Sequence, residues 1–380
     1  MARRIIQFGT SRFLQAHVDL FVHEARAASQ NIGPISVVKT TPGSERTSRI
    51  EAMRQPGGFP VRIRGYRNGG LVDEEVNVRS IDQALSAHSD WPEIVDLFRG
   101  EVEIAVSNVG DQGYDLAEED IRHERSSNHV PTGFPAKLLL LLLERFEATA
   151  NPLLFLPCEL MRSNGRVLRQ RVATLAAAWQ ASDTFMHWLE NSVVFADTLV
   201  DRIVAEEILP VGAVAEPYAL WAIRERGFKV PLTHPAVVLT DDLEPYERLK
   251  LHILNLGHTV LAEAWIRRGR PARETVSEIM AQPRLYQHLS DIYATEVIPG
   301  FAARGMAEMA LPYVGTTIER LRNPFLNHRI ADIAQNHSTK VDRRIRSFLA
   351  WVRQDDPLLR LPQLTALAAE YAQATDLPVA

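Results

Sequence analysis

Three polar side chains of different kinds, Lys250, Asn255 and His258, interrupt the otherwise apolar stretch "KLHILNLGHT" between 250 and 259. Their spacing is i, i+5 and i+8. On a regular helix of about 100° per residue, Asn255 falls roughly 140° and His258 roughly 80° around the axis from Lys250. All three then share one flank, with Asn255 and His258 a single i,i+3 step apart. Spacing alone leaves two readings open: the wet face of an amphipathic helix, or three groups converging on one small site. Asp241 and Asp242, ahead of Pro245, suit the first turn of such a helix.

The amine is the informative member. Lysine occurs only at 39, 137, 229, 250 and 340, against 37 arginines. A desolvated ammonium gives up its proton readily and a guanidinium does not, so a lysine kept within an apolar helix points to proton transfer. Genome composition also produces an arginine excess, which weakens the inference. Metal chemistry is not expected: His252 and His258 have no carboxylate at a familiar ligand spacing, and the one cysteine, Cys158, lies in another segment. The chain carries neither a G-x-S-x-G elbow nor a P-loop.

A chain of 380 residues, 46% hydrophobic and 23% charged, is long enough for two globular domains. A net charge of −5 promises no basic face for a phosphate backbone, so no nucleic-acid partner is expected. The longest pure apolar run is the six leucines Leu138 to Leu143, closed by Glu144 and Arg145 and far short of the roughly 18 residues that span a bilayer. "MARRIIQFGTS" has no apolar segment of the kind that follows in a secretory signal. With one cysteine and hence no internal disulfide, the expectation is a cytoplasmic protein without a membrane partner, its oligomeric state left open.

The elements that must position the three groups alternate at first. "RIIQF" reads as a buried strand, Gly9 as a turn, "RFLQAHVDLFVHEARAA" as a helix and "ISVVKT" (35 to 40) as a second strand. A hairpin turns at Asn68, Gly69 and Gly70; "EVEIAVSNV" and "PLLFLPCE" are further strands around the helix "PAKLLLLLLERFEA"; and "PAVVLTD" (235 to 241) closes the region. From Leu243 onward helix follows helix. The expected class is α/β, a Rossmann-like, doubly wound, mostly parallel sheet over residues 1–240, followed by a mostly helical domain over 241–380.

A strand, a glycine turn and a helix at the start form the place for a dinucleotide. In "GTSRFLQAH", Gly9 holds the first glycine position, while Ser11 and Leu14 replace the second and third. Ser11 must then tolerate the pyrophosphate and can contribute its hydroxyl. Lys39 and Thr40 stand where an acidic residue would hold the ribose hydroxyls, so NADP is not excluded beside NAD; alternatively Lys39 is simply solvated.

These segments together resemble the mannitol dehydrogenase family of long-chain polyol dehydrogenases. The likeness rests on K-x4-N-x2-H at Lys250, Asn255 and His258, with "IIQFGTSRFLQAHVDL", "SNVGDQGY", "FPAKLLLLLLERF", "PCELMRSNG", "FADTLVDRIV", "DDLEPYERLKLHILN" and "RLRNPFLNH" in order along nearly the whole chain. "FLQAHVDL", "PCEL" and "TLVDRIV" are most similar to the tagaturonate reductase (altronate oxidoreductase) branch. The resemblance implies a metal-independent, NAD(H)-dependent exchange between a secondary hydroxyl and a ketone of an open-chain sugar acid or alcohol, tagaturonate and altronate leading. It implies Lys250 as general base, Asn255 as amide donor to the reacting oxygen and His258 as the residue orienting hydroxyls and lysine. Asp201, Arg320 and His328 become substrate-binding, with Arg320, and with it Arg322 or His328, either near a carboxylate or only bracing the C-terminal helices or binding sugar hydroxyls; Gly9, Ser11, Phe13, Lys39 and Asn108 become cofactor-binding. One departure stands out. Leu160 occupies the place of an asparagine that gives the reacting oxygen a second amide in mannitol dehydrogenases, and Asn164 reads as a turn residue rather than its replacement. Gly257, costly by about 1 kcal/mol in a helix, is expected to let substrate or nicotinamide approach. Two other readings are a polyol dehydrogenase acting on altritol or mannitol, and a nucleotide-sensing protein that has lost turnover.

Overall fold

The computed structural model describes residues 3–41, 47–110, 112–122, 130–225, 227–269 and 273–371. Thirteen strands occur among them: β1 (Arg3–Phe8), β2 (Ile32–Lys39), β3 (Phe59–Arg67), β4 (Gly70–Val78), β5 (Ile81–Ser86), β6 (Val102–Ser107) and β7 (Leu153–Pro157), then β8 (Val193–Phe195), β9 (Thr198–Asp201), β10 (Val204–Glu207), β11 (Ala213–Ala215), β12 (Leu220–Arg224) and β13 (Val237–Thr240). Two compact units divide the chain. Residues up to Ile63, Glu74–Ala215 and Ala219–Leu243 form the first; Arg64–Asp73, Glu216–Tyr218 and everything from Glu244 form the second.

The first unit is built on a six-stranded sheet in the order β5-β2-β1-β6-β7-β8, parallel at every pairing. Its strands are apolar on both faces, as a sheet covered by helices requires: Ile5, Ile6, Val37, Val38, Ile104, Ala105 and Phe155 are all buried. The leucine run forms the helix Phe134–Ala148, opened by Pro135 in its first turn, with five of its six leucines buried against this sheet. Two smaller sheets, β10-β11-β3-β4 and β13-β12-β9, complete the strands. The short strands from β8 to β12 carry no sequence expectation, because runs of three to five residues show no period that separates strand from loop.

β1 lies in the middle of the sheet. The chain moves outward from it to β2 and β5, then returns to its other side for β6, β7 and β8. The carboxyl ends of β1 and β6 therefore flank the point where strand order reverses, the crevice in which open α/β sheets bind ligands.

The second unit is helical from Glu244 onward and packs around one apolar core that includes Ile253, Leu256, Tyr293, Val297, Phe301, Phe348 and Trp351. Three turns among its described residues are π-helical: Lys250–Asn255, Tyr293–Val297 and Asp342–Arg346. No described helix is long and apolar enough to cross a membrane.

Candidate active site

In the first unit, the turn after β1 needs its glycine. Gly9 sits at φ +123°, and a Cβ there would lie 2.6 Å from the Asn108 carbonyl oxygen. Backbone hydrogen bonds tie this turn across the sheet, from Gly9 to Val38 on β2 and from Asn108 to Phe8 on β1. Ser11 begins the helical run 12–27. Its Oγ accepts from the Leu14 amide at 3.2 Å and donates to Asn108 Oδ1 at 3.0 Å, while Asn108 Nδ2 donates to the Cys158 carbonyl at 2.9 Å. One relay thus joins the helix start to the ends of β6 and β7. The Ser11 hydroxyl expected to meet a pyrophosphate already has a donor and an acceptor; what the turn offers an anion is a capped helix start at the crevice. Phe13 is half-buried and stacks on His17 at 4.7 Å. Lys39 is buried rather than solvated, being the last residue of an interior strand.

The segments "SNVGDQGY" and "PCEL" meet through a residue that sequence reasoning passed over. Glu159 is buried and accepts from the Val109 amide at 3.1 Å and the Tyr114 hydroxyl at 2.6 Å, fixing the loop after β6 onto the end of β7. Burial pushes its carboxyl up, against those hydrogen bonds. Leu160, next along, is 71% exposed. Asn164 is more than a turn residue: its amide donates to the carbonyls of Pro157 and Glu159 and to Thr198 Oγ1, and its Oδ1 accepts from the Thr198 amide. Asp201 ends β9, is buried and pairs with Leu220 on β12.

In the second unit, Lys250, Asn255 and His258 do share one stretch of helix, but the regular geometry expected for it fails. Lys250–Asn255 is a π-turn in which the Leu256 amide reaches back to the Leu251 carbonyl, five residues earlier. An i→i+5 bond widens the turn, so the angle between Lys250 and Asn255 about the axis is smaller than the roughly 140° of an α-helix. His258 follows one α-helical turn on. Lys250 and Asn255 are half-buried and His258 is buried, so this is not the solvated face of an amphipathic helix.

Side chains from the same helical stretch and from two other helices hold the widened turn. Tyr293 Oη donates to the Ile253 carbonyl at 2.9 Å; Thr259 Oγ1 and Arg344 Nη1 donate to the Asn255 carbonyl at 3.0 and 3.1 Å. His252 is structural. Its Nδ1 donates to the Arg344 carbonyl at 3.1 Å, its ring stacks on Trp351 at 5.7 Å, and burial lowers it to about 4, so it is neutral. Gly257 leaves room not for a ligand but for Tyr293, whose hydroxyl a Cβ would overlap.

The remaining site candidates gather around "RLRNPFLNH". His328 meets His258 edge-to-face at 5.2 Å, and burial lowers its pKa against a smaller opposing influence of Asp332. Arg320 is 4% exposed, but its fork is already engaged: Nε lies 3.1 and 3.0 Å from the two Glu216 carboxylate oxygens and Nη2 lies 2.9 Å from one of them. Its guanidinium also lies over the Tyr218 ring at 4.2 Å. A carboxylate of the protein thus fills the place expected for one of the substrate. Arg322 is exposed, with the rings of Tyr66 and Tyr286 at 5.8 and 5.7 Å. Asn323 braces the segment, donating to the Arg64 carbonyl at 2.9 Å and accepting from the Phe325 amide at 3.0 Å.

A family model described as the mannitol dehydrogenase Rossmann domain matches residues 3–234, and one described as the mannitol dehydrogenase C-terminal domain matches 242–378. The chain belongs to the mannitol dehydrogenase family. Among curated relatives of this family member, the altronate oxidoreductase of Halalkalibacterium halodurans is 29% identical over 399 aligned residues, covering 98% of the chain and 75% of that protein. The altronate oxidoreductase of Yersinia enterocolitica is 31% identical, covering 97% and 79%. A substrate-free D-sorbitol dehydrogenase crystal structure has the same fold, with a TM-score of 0.83 at 18% identity over 98% of this chain and 80% of that one. So has a Pseudomonas fluorescens mannitol 2-dehydrogenase in ternary complex with NAD and D-mannitol, with a TM-score of 0.72 at 20% identity over 98% and 79%.

Proposed function

We propose that this family member transfers hydride between NAD(H) and a secondary hydroxyl or ketone of an open-chain sugar acid or sugar alcohol, with altronate and tagaturonate the leading pair. The observation that supports the reading is that Lys250 and Asn255, both half-buried, begin and end one π-turn, with the buried His258 three residues further along the same helical stretch. Lys250 takes the hydroxyl proton through Nζ on oxidation and returns it on reduction. Asn255 donates its amide to the oxygen on which charge gathers, and His258, backed by His328, orients the neighbouring hydroxyls. Asp201 and Arg320 position the rest of the substrate.

Residues 1–240 supply the cofactor site and 241–380 the proton-transfer unit. The first fits a dinucleotide: Gly9 is conformationally required at the strand-order reversal, with Ser11, Phe13, Asn108 and the buried Lys39 around the same strand ends. NAD+ held there would supply a hydride acceptor for the carbinol carbon, while Lys250 takes the hydroxyl proton. No group of three or more His, Cys, Asp or Glu among the described residues is arranged to hold a metal. The single cysteine is buried and free, which fits the cytoplasmic location we assign.

A panel of aldonates and alditols, each assayed with NAD+ and NADP+ by nicotinamide absorbance, tests the reading, together with Lys250→Ala. The variant should lose at least about 10²-fold in turnover while still binding NADH. Wild-type turnover without Lys250 removes the assignment, and NADH binding with no turnover on any substrate points instead to a nucleotide-sensing protein.

A further inference from the structure

Glu216, which the function proposed above leaves without a role, forms a buried ion pair with Arg320. Both side chains are almost wholly enclosed, at 1% and 3% exposure, and the carboxylate meets the Nε–Nη2 edge of the guanidinium through three contacts of 2.9 to 3.1 Å. That edge is the planar fork through which arginine recognises a carboxylate. Tyr218 lies under the guanidinium at 4.2 Å, and Tyr313 Oη lies 3.5 Å from Nη1. The arginine is held in one orientation by its stack and its ion pair.

This arginine stands beside the proton-transfer turn. It lies in the helix Ala307–Leu321, which packs against Lys250–Asn255. In the substrate-binding place proposed above, this cation would draw the acid end of a sugar acid if its fork were open. Glu216 closes it. The neighbouring His328 adds no cation at neutral pH, since burial lowers its pKa.

We infer that Glu216 is a specificity-determining residue: by occupying the fork of Arg320 as an internal carboxylate, it withholds that guanidinium from the carboxylate of a substrate. The inference rests on the placement of Arg320 at the substrate site in the function proposed above. If the enzyme takes a sugar acid, its carboxylate is read by another group.

The test compares kcat/KM for an aldonate and for the alditol that differs from it only in bearing CH2OH in place of the carboxylate. Glu216→Gln removes the charge and leaves Arg320 a weaker neutral acceptor, which a substrate carboxylate can displace. The aldonate-to-alditol ratio should rise at least about tenfold over wild type, within the 10- to 150-fold that a charge-assisted hydrogen bond supplies, and the gain should lie in KM rather than kcat. The ratio cancels any general loss from weakened folding, and Glu216→Asp, which keeps a carboxylate, should return it to the wild-type value. Because Glu216→Gln leaves a buried guanidinium unpaired and can fail to fold, the double variant E216M/R320M removes both charges together, a change that buried pairs tolerate well. Its ratio should match wild type. A ratio that falls tenfold or more in the double variant shows that Arg320 does read the carboxylate and overturns the inference. So does an unchanged ratio in folded Glu216→Gln when Arg320→Met raises KM, which leaves Arg320 at the substrate. If Arg320→Met changes KM for neither compound, the placement of Arg320 falls, and the inference with it.

Discussion

The hydroxyl of Tyr293 donates a 2.9 Å hydrogen bond to the Ile253 carbonyl, and the same hydroxyl occupies the space a Cβ on Gly257 would need. One tyrosine therefore satisfies a backbone acceptor in the widened turn and dictates a glycine in the helix that follows. Gly257→Ala should destabilise the protein by about 1–3 kcal/mol through overpacking. Tyr293→Phe should cost about 1–3 kcal/mol for the carbonyl left unsatisfied. The two losses should not add, because the phenylalanine makes room for the alanine. A double-mutant cycle by thermal or denaturant unfolding measures this, and strict additivity would show that the hydroxyl and the glycine are independent.

At the start of the chain, Gly9→Ala places a Cβ 2.6 Å from the Asn108 carbonyl oxygen in a backbone at φ +123°. Strain of this kind costs about 1–3 kcal/mol, and relief must shift the turn at the strand-order reversal. The expected result is a rise of at least about tenfold in the Kd for NADH, read by fluorescence titration, while Lys250–Asn255 is untouched. Unaltered NADH affinity in a folded variant would place the cofactor elsewhere.

Asp19 gives a pH signature. It is buried in the π-turn Gln15–Asp19, and neither carboxylate oxygen has a well-formed hydrogen bond among the described residues. Burial pushes it up to about 8, with a smaller opposing influence from Gln7. Since this lies above the unfolded value of about 3.9, the folded state holds the proton more tightly. The stability it brings is complete below about pH 4 and is lost as pH rises through about 8. Asp19→Asn removes the titration, so its Tm relative to wild type should climb between about pH 5 and pH 8.5. A difference that stays level with pH would mean that Asp19 does not hold the proton.

Exhaustive chelation and dialysis should leave activity intact, because the hydroxyl proton is handled by the Lys250 amine. Activity that vanishes with chelator and returns with zinc is the result that refutes this.

The elements and much of the site were legible from local order in the chain. Buried parallel strands read as continuous apolar runs, so β1, β2, β6 and β7 were plain. A glycine after the first strand marked the turn at Gly9, and the spacing of Lys250, Asn255 and His258 marked one helical stretch. What local order could not carry is any partner distant along the chain. The carbonyls of the π-turn Lys250–Asn255 are met by donors from Tyr293 and Arg344, both distant along the chain. Glu216 lies 104 residues before Arg320 and has no spacing that announces it, yet it determines which charge that arginine is able to meet. Glu159 likewise joins β6 to β7 only because the sheet sets them side by side. Residue types and short periods follow from sequence because they act within a turn or a pleat; the occupancy of a hydrogen-bonding edge follows from tertiary structure because its partner is chosen by packing.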